Sequence, residues 1–154
     1  MRVPIVTVGD NVVDCYPELG VLYPGGNAIN VAVHVKRLGI QSSYIGALGN
    51  DRAGEAILNA LHSEGVDTAH TRIIDGENAH CTIALENGNR VFQSSNLGVS
   101  RIVPSQNATK LCPNAPLFTQ VNAPGLKRTL KVSARNLKCF HTTSPNVRGI
   151  TSLD

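Results

Sequence analysis

The residues of this chain best suited to holding a ligand cluster near its start: Asp10, Asn11 and Asp14, then Gly25-Gly26, then Asn30. A carboxylate can accept two hydrogen bonds, and a carboxamide both donates and accepts. Asp14 and Asn30 could therefore hold the hydroxyl array of a polyhydroxylated ligand. Gly25 and Gly26 carry no Cβ and would let the backbone approach that ligand closely. The same residues also have a plainer reading, with Gly25-Gly26 as a turn, Asn30 as an ordinary helix residue, and Asp10 and Asn11 as turn residues after a strand. Other chemistries find no support. No GxxxxGK[ST] occurs, so the glycine-rich stretches are not a P-loop phosphate cradle. The five histidines are scattered and the four cysteines (Cys15, Cys81, Cys112, Cys139) form no CxxC pair. No metal site is expected, and the thiols are read as free.

Positioning these residues requires elements that the apolar pattern outlines. Residues 3–8 form an apolar, β-branched run ending at Gly9, which suits a strand buried on both faces of a parallel sheet. The spacing predicts a helix over 27–39, with Ala28, Val31, Ala32, Val35 and Leu38 on one face, Asn27 as cap and Gly39 as terminator. Ser43 to Leu48 reads as a second buried strand. A second helix follows over 51–64, with Ala53, Ala56, Ile57, Ala60 and Leu61 inward, Asn50 as cap and Gly65 at its end. Strand, helix, strand, helix implies a βαβ unit and a parallel, helix-covered sheet. In open sheets of this kind ligands bind beyond the carboxyl ends of the strands, where Asp14 and Asn30 are expected.

Two segments stand apart from that core. Residues 10–25 are longer than a βα loop needs and can hold two short strands, Val12–Tyr16 and Val21–Tyr23, turning at Pro17–Gly20. Cys81–Leu85 and Arg90–Gln93 flank Glu86-Asn-Gly-Asn89, a strong hairpin signal. Together these segments predict a small β-flap beside the core. Such a flap could close over a ligand and exclude water. Arg90, on this hairpin, could meet a charged or hydroxylated ligand, although a solvated strand charge is the simpler reading.

The chain changes character near residue 104. Residues 1–103 hold seven Lys/Arg against ten Asp/Glu, whereas 104–154 hold seven Lys/Arg against Asp154 alone. The second segment also carries five of the eight prolines and fifteen Ser/Thr/Asn, with no sustained apolar period. It is expected to be a poorly ordered basic tail, produced by a truncated or frame-shifted gene or occurring naturally. Its cations are spread out and its only aromatics are Phe118 and Phe140, so nucleic-acid binding is not expected. No run approaches the ~18 apolar residues of a membrane span. The N-terminus also lacks a signal peptide's apolar core, so the expected location is the cytoplasm.

Gly25-Gly-Asn-Ala-Ile-Asn-Val-Ala32, followed by Arg37-Leu-Gly39, resembles the N-terminal signature of PfkB/ribokinase-family carbohydrate kinases. Gly46, Gly49, Asp51 and Gly54, then Leu61 and Gly65-Val-Asp67, match a second family pattern, and Gly9-Asp-Asn-Val-Val-Asp14 a third. The resemblance covers residues 1–103. It implies an α/β, partial ribokinase-like fold with a parallel βαβ core, a small β-flap as lid, and the C-terminal half absent. It further implies ATP-dependent phosphorylation of a small-molecule sugar, with ATP and Mg2+ as cofactors, and permits a homo-oligomer joined through the flap. By the family pattern Asp14, Gly26 and Asn30 hold the sugar, and Asp10 and Asn11 are additional contacts. Gly46, Gly49, Asp51 and Gly54 read as fold geometry rather than ligands. Within the family, Gly-Asp-Asn-x-x-Asp-x-Tyr-Pro is most similar to fructoselysine 6-kinase-type members. The family's late Gly-Ala-Gly-Asp motif supplies the catalytic base and an anion-binding helix N-terminus, and it is absent from these 154 residues. No catalytic residue is therefore assigned. The alternative is a non-catalytic fragment that binds a sugar or a partner.

Overall fold

The computed structural model describes residues 5–102 and the backbone of 117–120. The first strand, β1 (Ile5–Gly9), is buried from Val6 to Gly9, as its unbroken apolar run predicts. It leads through Asp10 and Asn11 into β2 (Val12–Tyr16), a single 3-10 turn, and β3 (Val21–Gly25). Helix α1 (Asn27–Arg37) then crosses over to β4 (Ser42–Ile45), which pairs parallel with β1 at Ile5↔Ser42 through Val8↔Ile45. This is the expected βαβ unit.

The predicted strand over 43–48 is divided in two. After β4 the chain turns at Gly46 into β5 (Ala47–Gly49), which pairs parallel with β6 (Arg72–Ile74) in a separate sheet. A Cβ at Gly46 would lie 2.0 Å from the Tyr44 hydroxyl and 2.9 Å from the Gly9 carbonyl. Only glycine can occupy this corner, and the corner separates the two sheets. Strand β6 was not expected. Its residues Arg72 and Ile73 are exposed, and an edge strand of three residues leaves little alternation to read.

Helix α2 (Arg52–Ser63) packs Ala53, Ile57 and Leu61 into the core. With Ala28, Ile29 and Ala32 of α1, and with Val13, Tyr44, Leu48 and Val66, they form one apolar cluster. Each fully buried aliphatic chain stabilises such a cluster by about 1.5–3 kcal/mol. Leu38, predicted to face inward, is 74% exposed because α1 ends one residue earlier and Leu38 occupies the cap position. Both predicted N-caps are displaced by one residue. Gly26 rather than Asn27 precedes α1, and Asp51 rather than Asn50 caps α2 by accepting from the Gly54 amide at 2.9 Å. Asn50 instead donates to Asp75 at 2.7 Å and accepts from the Gly76 amide at 3.1 Å.

The flap is present as a four-stranded sheet in the order β3-β2-β7-β8, with β7 (His80–Glu86) and β8 (Asn89–Asn96) forming a hairpin. The turn residues Asn87 and Gly88 both adopt positive φ, 52° and 79°, as the Asn-Gly signal predicts. The two flap segments join through parallel pairing of β2 with β7, at Asp14↔Cys81.

The last described strand, β9 (Leu117–Gln120), pairs parallel with the free side of β1, from Val6↔Leu117 to Gly9↔Gln120. It falls inside the segment read as a tail and corrects that reading at these four positions. The remainder of 104–154 lies outside the described residues.

Candidate functional site

Tyr44 anchors the junction between core and flap. It is fully buried, its hydroxyl donates to the Gly9 carbonyl at 3.0 Å, and burial pushes its pKa well up. The Asn11 amide donates to the Tyr44 hydroxyl at 3.1 Å and to the Ala47 carbonyl at 2.7 Å. These bonds fix Asn11 where β1 ends and leave its carbonyl oxygen, Oδ1, buried with no donor among the described residues. Asp10 Oδ1 is orphaned in the same way, and burial raises the Asp10 pKa, with a backbone hydrogen bond partly opposing. Buried acceptors of this kind cost free energy unless a donor arrives.

Gly26 closes against this corner. Its φ is +108°, and a Cβ there would sit 2.8 Å from the Asn11 Cα and 3.1 Å from the Asp10 carbonyl oxygen. The close backbone approach expected of the Gly25-Gly26 pair is therefore present at Gly26. Asp10, Asn11 and Gly26 come together in one patch. Asn30 lies in the first turn of α1, with its amide donating to the Gly26 carbonyl at 2.9 Å and its side chain exposed.

Asp14 is placed differently from the expectation. It lies in the middle of β2 on the flap rather than just beyond β1, and its partner is Arg90, whose Nη2 donates to Oδ2 at 3.0 Å. The Arg90 guanidinium also stands over the Tyr16 ring at 5.6 Å, and Tyr16 meets Tyr23 edge-on at the same centroid distance. Sequence reasoning raised Arg90 as a contact to a charged or hydroxylated ligand, with a solvated strand charge as the simpler reading, and did not single out Tyr16, Tyr23 or Tyr44. A lone tyrosine inside the predicted buried strand 43–48 was the available signal for Tyr44. The Cys15 and Cys81 thiols are free, and their pKa values are raised by burial first and then by the nearby Asp14 charge.

The glycine–aspartate pattern at 46–54 is structural, as expected. Asp51 caps α2 with one oxygen and accepts the Asn78 amide at 3.0 Å with the other. A Cβ at Gly54 would strike the Gly49 carbonyl oxygen at 2.0 Å. Among the described residues no three His, Cys, Asp or Glu side chains are grouped to hold a metal ion. No phosphoryl-transfer step is assigned to these residues. No helix among the described residues is long and apolar enough to cross a membrane.

A parallel βαβ core joined to a β-flap, with unpartnered acceptors and a glycine backbone at the junction, defines a lidded α/β protein of ribokinase-like fold. The pattern of the pfkB family carbohydrate kinases matches residues 7–117, and the chain belongs to that family. It is 50% identical over 95 residues to the fructosamine kinase FrlD of Bacillus subtilis, covering 61% of this chain and 34% of that protein. It is 40% identical over 95 residues to fructoselysine 6-kinase of Escherichia coli, covering 62% and 36%. The crystal structure of apo fructokinase from Vibrio cholerae superposes with a TM-score of 0.61 at 27% identity, covering 70% of this chain and 39% of that one. The chain thus spans about a third of the length of the curated relatives it matches.

Proposed function

We propose that this chain is the sugar-holding part of an ATP-dependent kinase for sugar–amine conjugates of the fructoselysine type, and that alone it binds without transferring phosphate. The carrying observation is the junction itself, where two buried, donorless oxygens on Asp10 and Asn11 lie against a glycine backbone. Ligand hydroxyls are the donors these acceptors need. Asp10, Asn11, Asp14, Gly26 and Asn30 are the proposed contacts, within a unit spanning residues 1–103. The conjugate is suggested by the names of the two kinases above. ATP is the phosphoryl donor implied by the family, and an ATP-dependent reaction suits a cytoplasmic location. Leu85 and Phe92, exposed on the flap, support a homo-oligomer joined there, which sedimentation would detect.

A binding-only role for the isolated chain is favoured by one sequence fact: none of its 154 residues forms the family's Gly-Ala-Gly-Asp. The test is calorimetry with fructoselysine, fructose and ribose, using wild type, Asp14→Ala and Asn30→Ala. Each variant is expected to lose about 1–3 kcal/mol of binding. Unchanged affinity in both would remove these residues from the site.

A further inference from the structure

Arg90 is held more elaborately than an exposed charge requires. Its side chain is 55% exposed and that of Asp14 29%, and an ion pair this exposed contributes little to stability. Yet Tyr16 lies beneath the guanidinium at 5.6 Å, and only Nη2 is engaged, with Asp14 at 3.0 Å. Among the described residues no second acceptor meets the remaining N–H groups of Arg90. The Tyr16 ring restricts the plane of the guanidinium, and a fixed plane with free donors is the geometry that receives a carboxylate through two parallel hydrogen bonds. Tyr23 is the cross-strand partner of Asp14, so it rises on the same face, and it is 57% exposed. That face therefore presents a hydroxyl acceptor, an uncovered aromatic ring and a cation fork side by side.

We infer that Arg90 is a specificity-determining residue that binds the carboxylate of the amino-acid portion of the substrate, with Tyr23 covering the aliphatic chain between that carboxylate and the sugar. The inference rests on the sugar–amine reading of the site and adds to it that the conjugate must carry an acid group. A free sugar engages Asp14 and leaves the remaining donors of Arg90 unfilled. Sugar hydroxyls and Arg90 then share Asp14, and Arg90 turns its free donors to the incoming carboxylate.

The test compares fructoselysine with N-fructosyl-1,5-diaminopentane, which has the same sugar and chain without the carboxylate. Nitrogen-15 NMR of the full chain follows the amides of Asn11 and Gly26 and the Nε–H of Arg90, and affinities come from the titrations. Fructoselysine is expected to move all three signals and bind about tenfold or more tightly than its decarboxylated counterpart, as expected for hydrogen bonds to a charged group. Arg90→Gln should level the two ligands. Arg90→Lys should recover only part of the difference, because an ammonium lacks the fork. Equal affinities in the wild type, or an unmoved Arg90 signal while Asn11 and Gly26 shift, would overturn the inference. If no sugar moves Asn11 or Gly26, the sugar reading itself fails. Nε-acetyl-lysine against its carboxamide at millimolar concentration then decides the Arg90 question, since a response to both or to neither refutes carboxylate recognition.

Discussion

At Asp10 two tendencies oppose each other: burial disfavours the ionised carboxyl, while a donorless oxygen waits for a hydrogen bond. A carboxyl with a raised folded-state pKa holds its proton more tightly folded than unfolded. Its contribution to stability is full below the unfolded value near 3.8, falls as pH rises through the raised value, and stays low above it. Asp10→Asn keeps the shape and removes the charge. Thermal melts from acid to neutral pH should show this variant lacking that falling branch, and no less stable than wild type at pH 7; an unchanged slope would count against the burial argument. Ligand hydroxyls favour the ionised form, so binding should tighten as pH rises through the same window and release protons. Calorimetry in buffers of differing ionisation enthalpy reads that release directly. Gly26 is constrained sterically instead. Gly26→Ala forces a Cβ to 2.8 Å from the Asn11 Cα at φ +108°, and should cost about 1–3 kcal/mol in denaturant melts together with measurable loss of sugar binding.

Helix α2 depends on a single carboxylate with two tasks, since Asp51 caps the Gly54 amide and also accepts from Asn78 in the loop before β7. Asp51→Ala should cost about 1–2 kcal/mol for the cap and more for the Asn78 amide it strands, a loss read by urea unfolding. Asp51→Asn keeps one acceptor and should fall between. Such links show what the sequence could and could not disclose. Helix positions followed from apolar periodicity, and their ends from Gly39 and Gly65, both at positive φ. The cap of α2 slipped by one because Asn50 and Asp51 are both good caps, and only the loop carrying Asp75 and Gly76 decides between them. The corner at Gly46 depends on Tyr44 and Gly9, far apart in the chain, so no local pattern marks it. The flap was legible from Asn87-Gly88 and from strand alternation. The Arg90–Asp14 pair was not, because its partners are 76 positions apart and meet only through the β2–β7 pairing. Strand β9 was hidden for a related reason: four residues after Pro116 form a strand only because β1 offers a free side.

For the molecule as a whole, the decisive relation is between what the fold positions and what phosphoryl transfer needs. The described sheet has the order β4-β1-β9, so β4 and β9 are its edges, and the core helices α1 and α2 serve a cluster that reaches the flap through Val13. This scaffold positions the acceptors of the junction. Phosphoryl transfer works by aligning donor and acceptor and by stabilising the charge that develops between them, and it gains little from holding the sugar alone. The chain spans 34% and 36% of two relatives whose names state kinase activity, and it contains no Gly-Ala-Gly-Asp. The purified 154-residue chain is therefore expected to transfer no phosphate from ATP to fructoselysine, fructose or ribose in a coupled assay for ADP release. Its parallel sheet ends, among the described residues, at β4 and β9, and an unpaired strand edge there is expected to promote self-association, visible in light scattering. Mixing the chain with the remaining two-thirds of a close relative such as the Bacillus subtilis enzyme should restore sugar-dependent turnover and lower the scattering together, because one polypeptide would supply both the base and a cover for the sheet edge. Sustained turnover by the chain alone would place the catalytic groups among residues that the geometry assigns to binding and to the fold.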